Sequence, residues 1–231
     1  MPEARRALVL TAHGTASPAG RQVVLDLVAA VQQALQQRAS VLVTDAYVDV
    51  QTPEVADVVA DLVTRVDDVV VVPLLFCGGY HVRVDVARAV EPFASAHSTG
   101  ALGPSPLIAD ALAMRLREAG VTQDEAVVLA AAGSSRVEAT TDARTQARML
   151  AEVWGADVDV AFGSAATPSV PDAVNALRER PGRRVAIASL LLGEGHFHDK
   201  LIASGADVVT APLGTAPQVV EQILTRFDGV G

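Results

Sequence analysis

With 231 residues, half of them apolar, and a formal charge of −9 at neutral pH, the chain has enough nonpolar side chain for a substantial core and a surface that repels nucleic acid. Aromatic residues are only 3% of the chain, and no apolar run reaches the roughly 18 to 20 residues a bilayer-spanning helix needs, so neither nucleic acid nor a membrane is an expected partner. The single cysteine, Cys77, excludes an internal disulfide and an all-thiolate metal site, and residues 1–6 lead directly into a strand rather than a signal-peptide core, which makes the cytoplasm the expected compartment.

In chain order, the pattern predicts strand 7–12, helix 18–37, strand 41–48, helix 53–65, strand 69–76, helix 82–95, a short strand at 99–102 and helix 106–118. A second series follows, with strands near 126–131, 157–163, 184–192 and 206–211 alternating with helices near 139–154, 170–180, 197–204 and 216–227. The strands are near-continuous Val, Leu and Ala runs, which suits parallel sheets covered by helices on both faces. The expected architecture is therefore α/β, two flavodoxin-like lobes, each a four-stranded parallel sheet in the order 2-1-3-4.

The second series is a copy of the first. Ala7-Leu-Val-Leu-Thr-Ala-His13-Gly14-Thr15 returns as Ala126-Val-Val-Leu-Ala-Ala-Ala132-Gly133-Ser134, and Val24, Val28, Val31 and Leu35 match Ala143, Ala147, Leu150 and Trp154 on one helix face. Tyr47 and Thr52-Pro53 pair with Phe162 and Thr167-Pro168, each Thr-Pro being read as a helix cap and first turn. Pro73–Gly79 pairs with Ser189–Gly195, and Leu102–Pro106 with Leu213–Pro217. Such a repeat is too long for a solenoid unit and implies internal duplication, with lobes 1–120 and 121–231 joined near Arg117–Glu125.

Two histidines fall where open α/β sheets present their chemistry, beyond the carboxyl ends of strands: His13 after the first strand and His81 after the third. Gly14 follows one, and Gly78, Gly79 and Tyr80 precede the other, so the backbone can turn sharply and a ligand can approach. A pair of imidazoles suits Fe²⁺, Co²⁺, Ni²⁺ or Zn²⁺ without choosing among them, and the same rings can accept protons. Thr15, Gly79, Tyr80 and Arg83 are candidate substrate contacts beside them. Arg136 and Arg144 are further guanidinium candidates for an anionic ligand, and Asp49 and Asp85 are candidate proton acceptors or partners of a histidine. Cys77 is read as a small apolar residue, His97 as a surface residue, and His196 and His198 as either a solvated loop or a second metal site.

Absences narrow the chemistry. There is no Gly-x-Gly-x-x-Gly after a strand, no Walker loop and no Gly-x-Ser-x-Gly, so dinucleotide, nucleoside triphosphate and α/β-hydrolase chemistry are not indicated. Ala12 stands where a histidine phosphatase would carry its arginine.

Thr11-Ala-His-Gly-Thr15, Ala46-Tyr-Val-Asp-Val-Gln-Thr-Pro53, Val72-Pro-Leu-Leu-Phe-Cys-Gly-Gly-Tyr-His-Val-Arg-Val-Asp85 and Leu102-Gly-Pro-Ser-Pro-Leu107 together resemble the class II chelatases of the CbiX/SirB type. The resemblance implies two chelatase-like lobes, the first carrying the metal site and the second degenerate, and ATP-independent insertion of a divalent metal into sirohydrochlorin. Its expected product is sirohaem, with Fe²⁺ as the metal. The alternatives are cobalt or nickel insertion into a related ring, or a non-catalytic carrier of metal or tetrapyrrole. It further implies that His13 and His81 handle the metal and that no cofactor beyond the substrate metal is needed; two lobes in one chain make a monomer sufficient, with a dimer compatible. Ala132 in place of His13, and Phe197 aligned with His81, mark the second lobe's departure.

Overall fold

The computed structural model describes residues 6–36, 41–79, 82–179 and 183–230. Strands β1 (Arg6–Ala12), β2 (Val41–Tyr47), β3 (Asp68–Pro73) and β4 (Ala96–Ser98) form one parallel sheet in the order β2-β1-β3-β4. Strands β5 (Ala126–Ala131), β6 (Val158–Phe162), β7 (Val185–Leu190) and β8 (Val208–Val209) form a second in the order β6-β5-β7-β8. Both sheets have the expected topology, and in each the first strand of the repeat is central and buried.

Helices α1 (Pro18–Leu35), α2 (Val55–Leu62), α3 (Ala87–Val90) and α4 (Pro106–Glu118) come from the first sequence half; α5 (Val137–Trp154), α6 (Val170–Arg178), α7 (His196–Ile202) and α8 (Pro217–Asp228) come from the second. The Ser17 side chain caps α1 by accepting from Gly20 N, with Pro18 in the first turn, and the helix buries Val24, Leu27, Val31 and Leu35. In α5 the expected face of Ala143, Ala147, Leu150 and Trp154 is buried, and Gly155 at φ +79° ends the helix.

Four local expectations change. The helix foreseen over 82–95 begins as a π-helical turn, Val82–Val86, and α3 stops at Val90 ahead of Pro92, which has no amide hydrogen to continue the ladder; β4 forms at 96–98 rather than 99–102. Regular pairing of β3 ends at Pro73, which has no amide hydrogen, instead of at Phe76. Thr52-Pro53 and Thr167-Pro168 do not cap helices. Both bonds are cis, and the proline carbonyls accept from Tyr47 N at 2.9 Å and Phe162 N at 3.0 Å, closing the ends of β2 and β6. The N-caps are Glu54 and Ser169, the latter accepting from Asp172 N through its side chain.

The compact units and the sequence halves do not coincide. One unit is Met1–Leu102 with Val220–Gly231, and the other is Gly103–Val219, so each contains the closing helix of the other half. In the second unit, Gln146 of α5 accepts from Ser105 N at 2.9 Å and donates to Ser105 O at 3.1 Å, pinning the start of α4 in a buried site. In the first, Arg6 at the start of β1 donates to Val230 O at 2.8 Å, pairs with Asp68 at 2.8 Å and lies 4.3 Å from the centre of the Phe227 ring of α8. Sequence repetition records duplication, whereas packing records which helix covers which sheet, and the two need not agree. Among the described residues no helix is long and apolar enough to cross a membrane.

Candidate functional site

Parallel pairing puts the carboxyl ends of β1, β2 and β3 at one edge: Ala12 is in register with Tyr47, and Thr11 with Pro73. His13 is the first residue beyond β1, and its residue is exposed. Its carbonyl accepts from Asp49 N at 2.9 Å, continuing the sheet pattern set by Val48 N and Ala12 O at 3.0 Å, so the histidine turn and the loop after β2 are one hydrogen-bonded body. This fixes where the imidazole emerges.

Gly14 turns the chain away at φ +100°, and a methyl group on its α-carbon would overlap the Asp49 carbonyl oxygen. Gly133 repeats the arrangement at φ +94°, backed by the Ser164 carbonyl. Gly14→Ala and Gly133→Ala are both expected to cost about 2 kcal/mol or more, the lower bound being the left-handed backbone strain alone. Denaturant titration measures that loss. Only Gly14→Ala is expected also to displace His13 and depress activity.

Thr15 is held by three neighbours. Its amide donates to Gln51 Oε1 at 2.8 Å, its hydroxyl accepts from Ser17 N at 3.1 Å and its carbonyl accepts from Arg21 Nε at 2.9 Å. Gln51 and Arg21 thus shape the turn, and sequence reading missed both. No spacing rule links residue 15 to residue 51, because the contact exists only once β1 and β2 are paired. Arg21, Val48, Asp49, Val50, Gln51, Thr52 and Glu54 line an open depression beside the turn. The Asp49 carboxylate accepts from Val50 N at 2.7 Å, and Val50 is exposed at φ +62°.

Tyr47 is buried beneath this edge. Burial, reinforced by the hydrogen bond and negative charge of Asp45, pushes its phenol up to about 12, so it remains protonated at neutral pH and is no base there. Because the folded-state value lies above the unfolded one of 10.0, this contribution to stability is fully present below pH 10 and is lost as pH rises towards 12. Wild type minus Tyr47→Phe is expected to fall by up to about 1.4 kcal/mol per pH unit across that window, read from urea melts.

Gly79 donates its amide to Cys77 O at 2.9 Å in the loop after β3. Tyr80 and His81 lie outside the described residues, as does the side chain of Arg83; the backbone of Arg83 and Asp85 forms the π-helical turn that follows. Among the described residues no three metal-donor side chains cluster. His198 is a buried structural histidine in the second unit, its Nε2 donating to Thr210 O at 3.0 Å, whereas His196 is exposed. The two imidazoles therefore do different jobs. His97 is exposed, 3.8 Å from Asp68. Arg136 occupies the N-cap position of α5, and Arg144 is exposed on that helix.

A family model described as CbiX matches the chain twice, over residues 7–119 and 126–230. No curated protein matches it by sequence. Among solved structures it is similar to SirB from Bacillus subtilis with Fe³⁺, at TM-score 0.83 and 19% identity, covering 97% of this chain and 94% of that one. It is also similar to the sirohydrochlorin chelatase SirB from Bacillus subtilis subspecies spizizenii in complex with cobalt, at TM-score 0.73 and 17% identity over 96% and 93% of the two chains. CbiX, described as the terminal enzyme for biosynthesis of siroheme in denitrifying bacteria, gives TM-score 0.72 and 22% identity over 98% and 100%.

Proposed function

Because the chain belongs to the CbiX family, we propose that it is a lyase-class chelatase that inserts a divalent metal into sirohydrochlorin without ATP, with Fe²⁺ as the metal and sirohaem as the product. The observation that carries this reading is the exposed residue His13 on a turn at the carboxyl edge of a central parallel strand, joined by backbone hydrogen bonds to the loop bearing Asp49. The similar proteins solved with iron and with cobalt share this fold. Both metals fit imidazole donors.

The reaction needs little from the protein except position and proton acceptors. A metal-free ring carries two N–H protons in its centre; the incoming M²⁺ replaces them, and two protons leave. In the proposed mechanism His13 and His81 take the aquated ion, replace part of its water shell and hold it against one ring face. As ring nitrogens displace the imidazoles, a released imidazole accepts one ring proton and the exposed Asp49 carboxylate beside the turn accepts the other, and both pass on to solvent. Thr15 keeps the turn in shape through its three hydrogen bonds, and Gly79, Tyr80 and Arg83 are the proposed contacts to the ring. The metal is a substrate, and no resident cofactor enters the scheme. The acidic chain needs neither nucleic acid nor membrane for this work, which suits the cytoplasm, and a monomer contains both lobes.

The test is anaerobic turnover of metal-free sirohydrochlorin with Fe²⁺ or Co²⁺, without ATP, followed by loss of free-base absorption. Many turnovers per chain are expected, faster with Fe²⁺. Conversion that stops at one equivalent would identify a carrier, and faster Co²⁺ insertion would reassign the metal.

A further inference from the structure

The second unit keeps the scaffold of the histidine turn and loses its donors. Ala132 occupies the position of His13, Gly163 that of Val48 and Phe197 that of His81. Folding brings the three together: a Cβ on Gly163 would lie 3.2 Å from Phe197 Cδ1 and 3.4 Å from the Ala132 carbonyl. The phenyl ring therefore rests over a residue with no side chain. The change from valine to glycine makes room for the change from histidine to phenylalanine, and neither change supplies a metal ligand.

What replaces the donors is an apolar surface held out to solvent. Helix α7 buries His198 and Leu201 but leaves Phe197 38% exposed, although the ring could contribute most to folding by turning inward. His196 meets it edge-on with centroids 5.7 Å apart, and Lys200 Nζ lies 5.7 Å from its centre. Lys200 is the sole lysine in a chain of charge −9. The helix is fixed from beneath: Thr210 O accepts from His198 Nε2 at 3.0 Å and from Ser189 Oγ at 2.8 Å, so the ring sits on a rigid support.

We infer that this altered turn is a platform for the substrate ring, on which Phe197 stacks against the flat conjugated face of the metal-free tetrapyrrole while Lys200 pairs with one of its carboxylates. The inference rests on the chelatase reading, which supplies a planar, anionic, conjugated ligand. Ala132, Gly163 and Phe197 offer a bare cation no donor, and the one imidazole against the ring, His196, lies beside the same ring as the Lys200 ammonium, which repels a cation. A conjugated ring gains from both the aromatic face and the positive charge. The altered turn thus offers a ring surface at the position where its counterpart in the repeat carries an imidazole.

The test titrates metal-free sirohydrochlorin into wild type, Phe197→Ala, Phe197→Trp and Lys200→Gln by fluorescence quenching, alongside KM and kcat for metallation. Phe197→Ala is expected to raise both Kd and KM about tenfold with kcat within about twofold, and Phe197→Trp to restore binding. Lys200→Gln is expected to weaken binding about threefold at low salt, a difference that disappears at high salt. Co²⁺ binding without the ring stays as in wild type. An unchanged Kd in Phe197→Ala, or a loss that tryptophan does not repair, overturns the inference. Ring binding by wild type without turnover overturns the chelatase reading alone, and the Phe197 comparison still decides the platform. No ring binding by wild type overturns both.

Discussion

Replacing His13 with alanine is expected to lower metallation turnover by on the order of 10³-fold while leaving the fold intact. In the proposed mechanism the substitution removes a metal donor together with a proton acceptor, and the second of these alone is worth about 10² to 10⁴. Preservation of the fold is expected because the second unit already contains the substituted turn: Ala132 occupies the same position, followed by Gly133 at φ +94° as His13 is by Gly14 at φ +100°. His13 is also exposed, so its truncation opens no cavity. Turnover with saturating Fe²⁺, together with a urea melt, measures both halves of the expectation, and His81→Ala is expected to behave alike. Normal turnover in both variants would remove the imidazole mechanism. Reduced activity with matching loss of stability would make His13 a structural residue.

Dividing the chain between residues 120 and 121 is expected to give two fragments that do not unfold cooperatively on their own, although the cut falls between the sequence repeats. The first fragment lacks α8, whose Ile223 and Phe227 are 0% and 2% exposed, and burying two such side chains is worth about 4 kcal/mol together. That is a large share of the 5 to 15 kcal/mol that typically holds a domain. The second fragment lacks α4, which buries Ile108, Leu112 and Leu116, and leaves Gln146 without its Ser105 partner. A different division is expected to succeed. Residues 103–216 form one fragment, and residues 217–231 joined by a flexible linker to residues 1–102 form the other, which keeps α8 whole and follows the compact units closely, a joint favoured by the bond from Arg6 to Val230 O. Circular dichroism melts of all four pieces decide the matter. Cooperative unfolding of 1–120 and 121–231 separately would show that the exchanged helices are dispensable.

Much of this was legible because parallel sheets write themselves plainly. A strand buried on both faces must be apolar throughout, so Ala7–Leu10 and Val69–Val72 announce β1 and β3, and helix faces such as Ala143, Ala147, Leu150 and Trp154 keep their period. The position of His13 was legible for a related reason, since the end of such an apolar strand fixes which residue comes first beyond the carboxyl edge of the sheet. The Thr-Pro pairs were misread because proline before a helix usually marks its first turn. Here their carbonyls close neighbouring strand ends, a role that depends on a partner from another element.

Sequence alone determined the duplication, the two parallel sheets, the family and the histidine turn, because each is recorded in local order: strand polarity, helix period and the residues that follow a strand. Tertiary structure alone decided which helix closes which sheet, how Gln51 and Arg21 hold Thr15, why His198 is structural while His196 is exposed, and that Phe197 rests on Gly163. Those facts depend on contacts between residues far apart in the chain, and a local pattern carries no information about which distant partner will arrive.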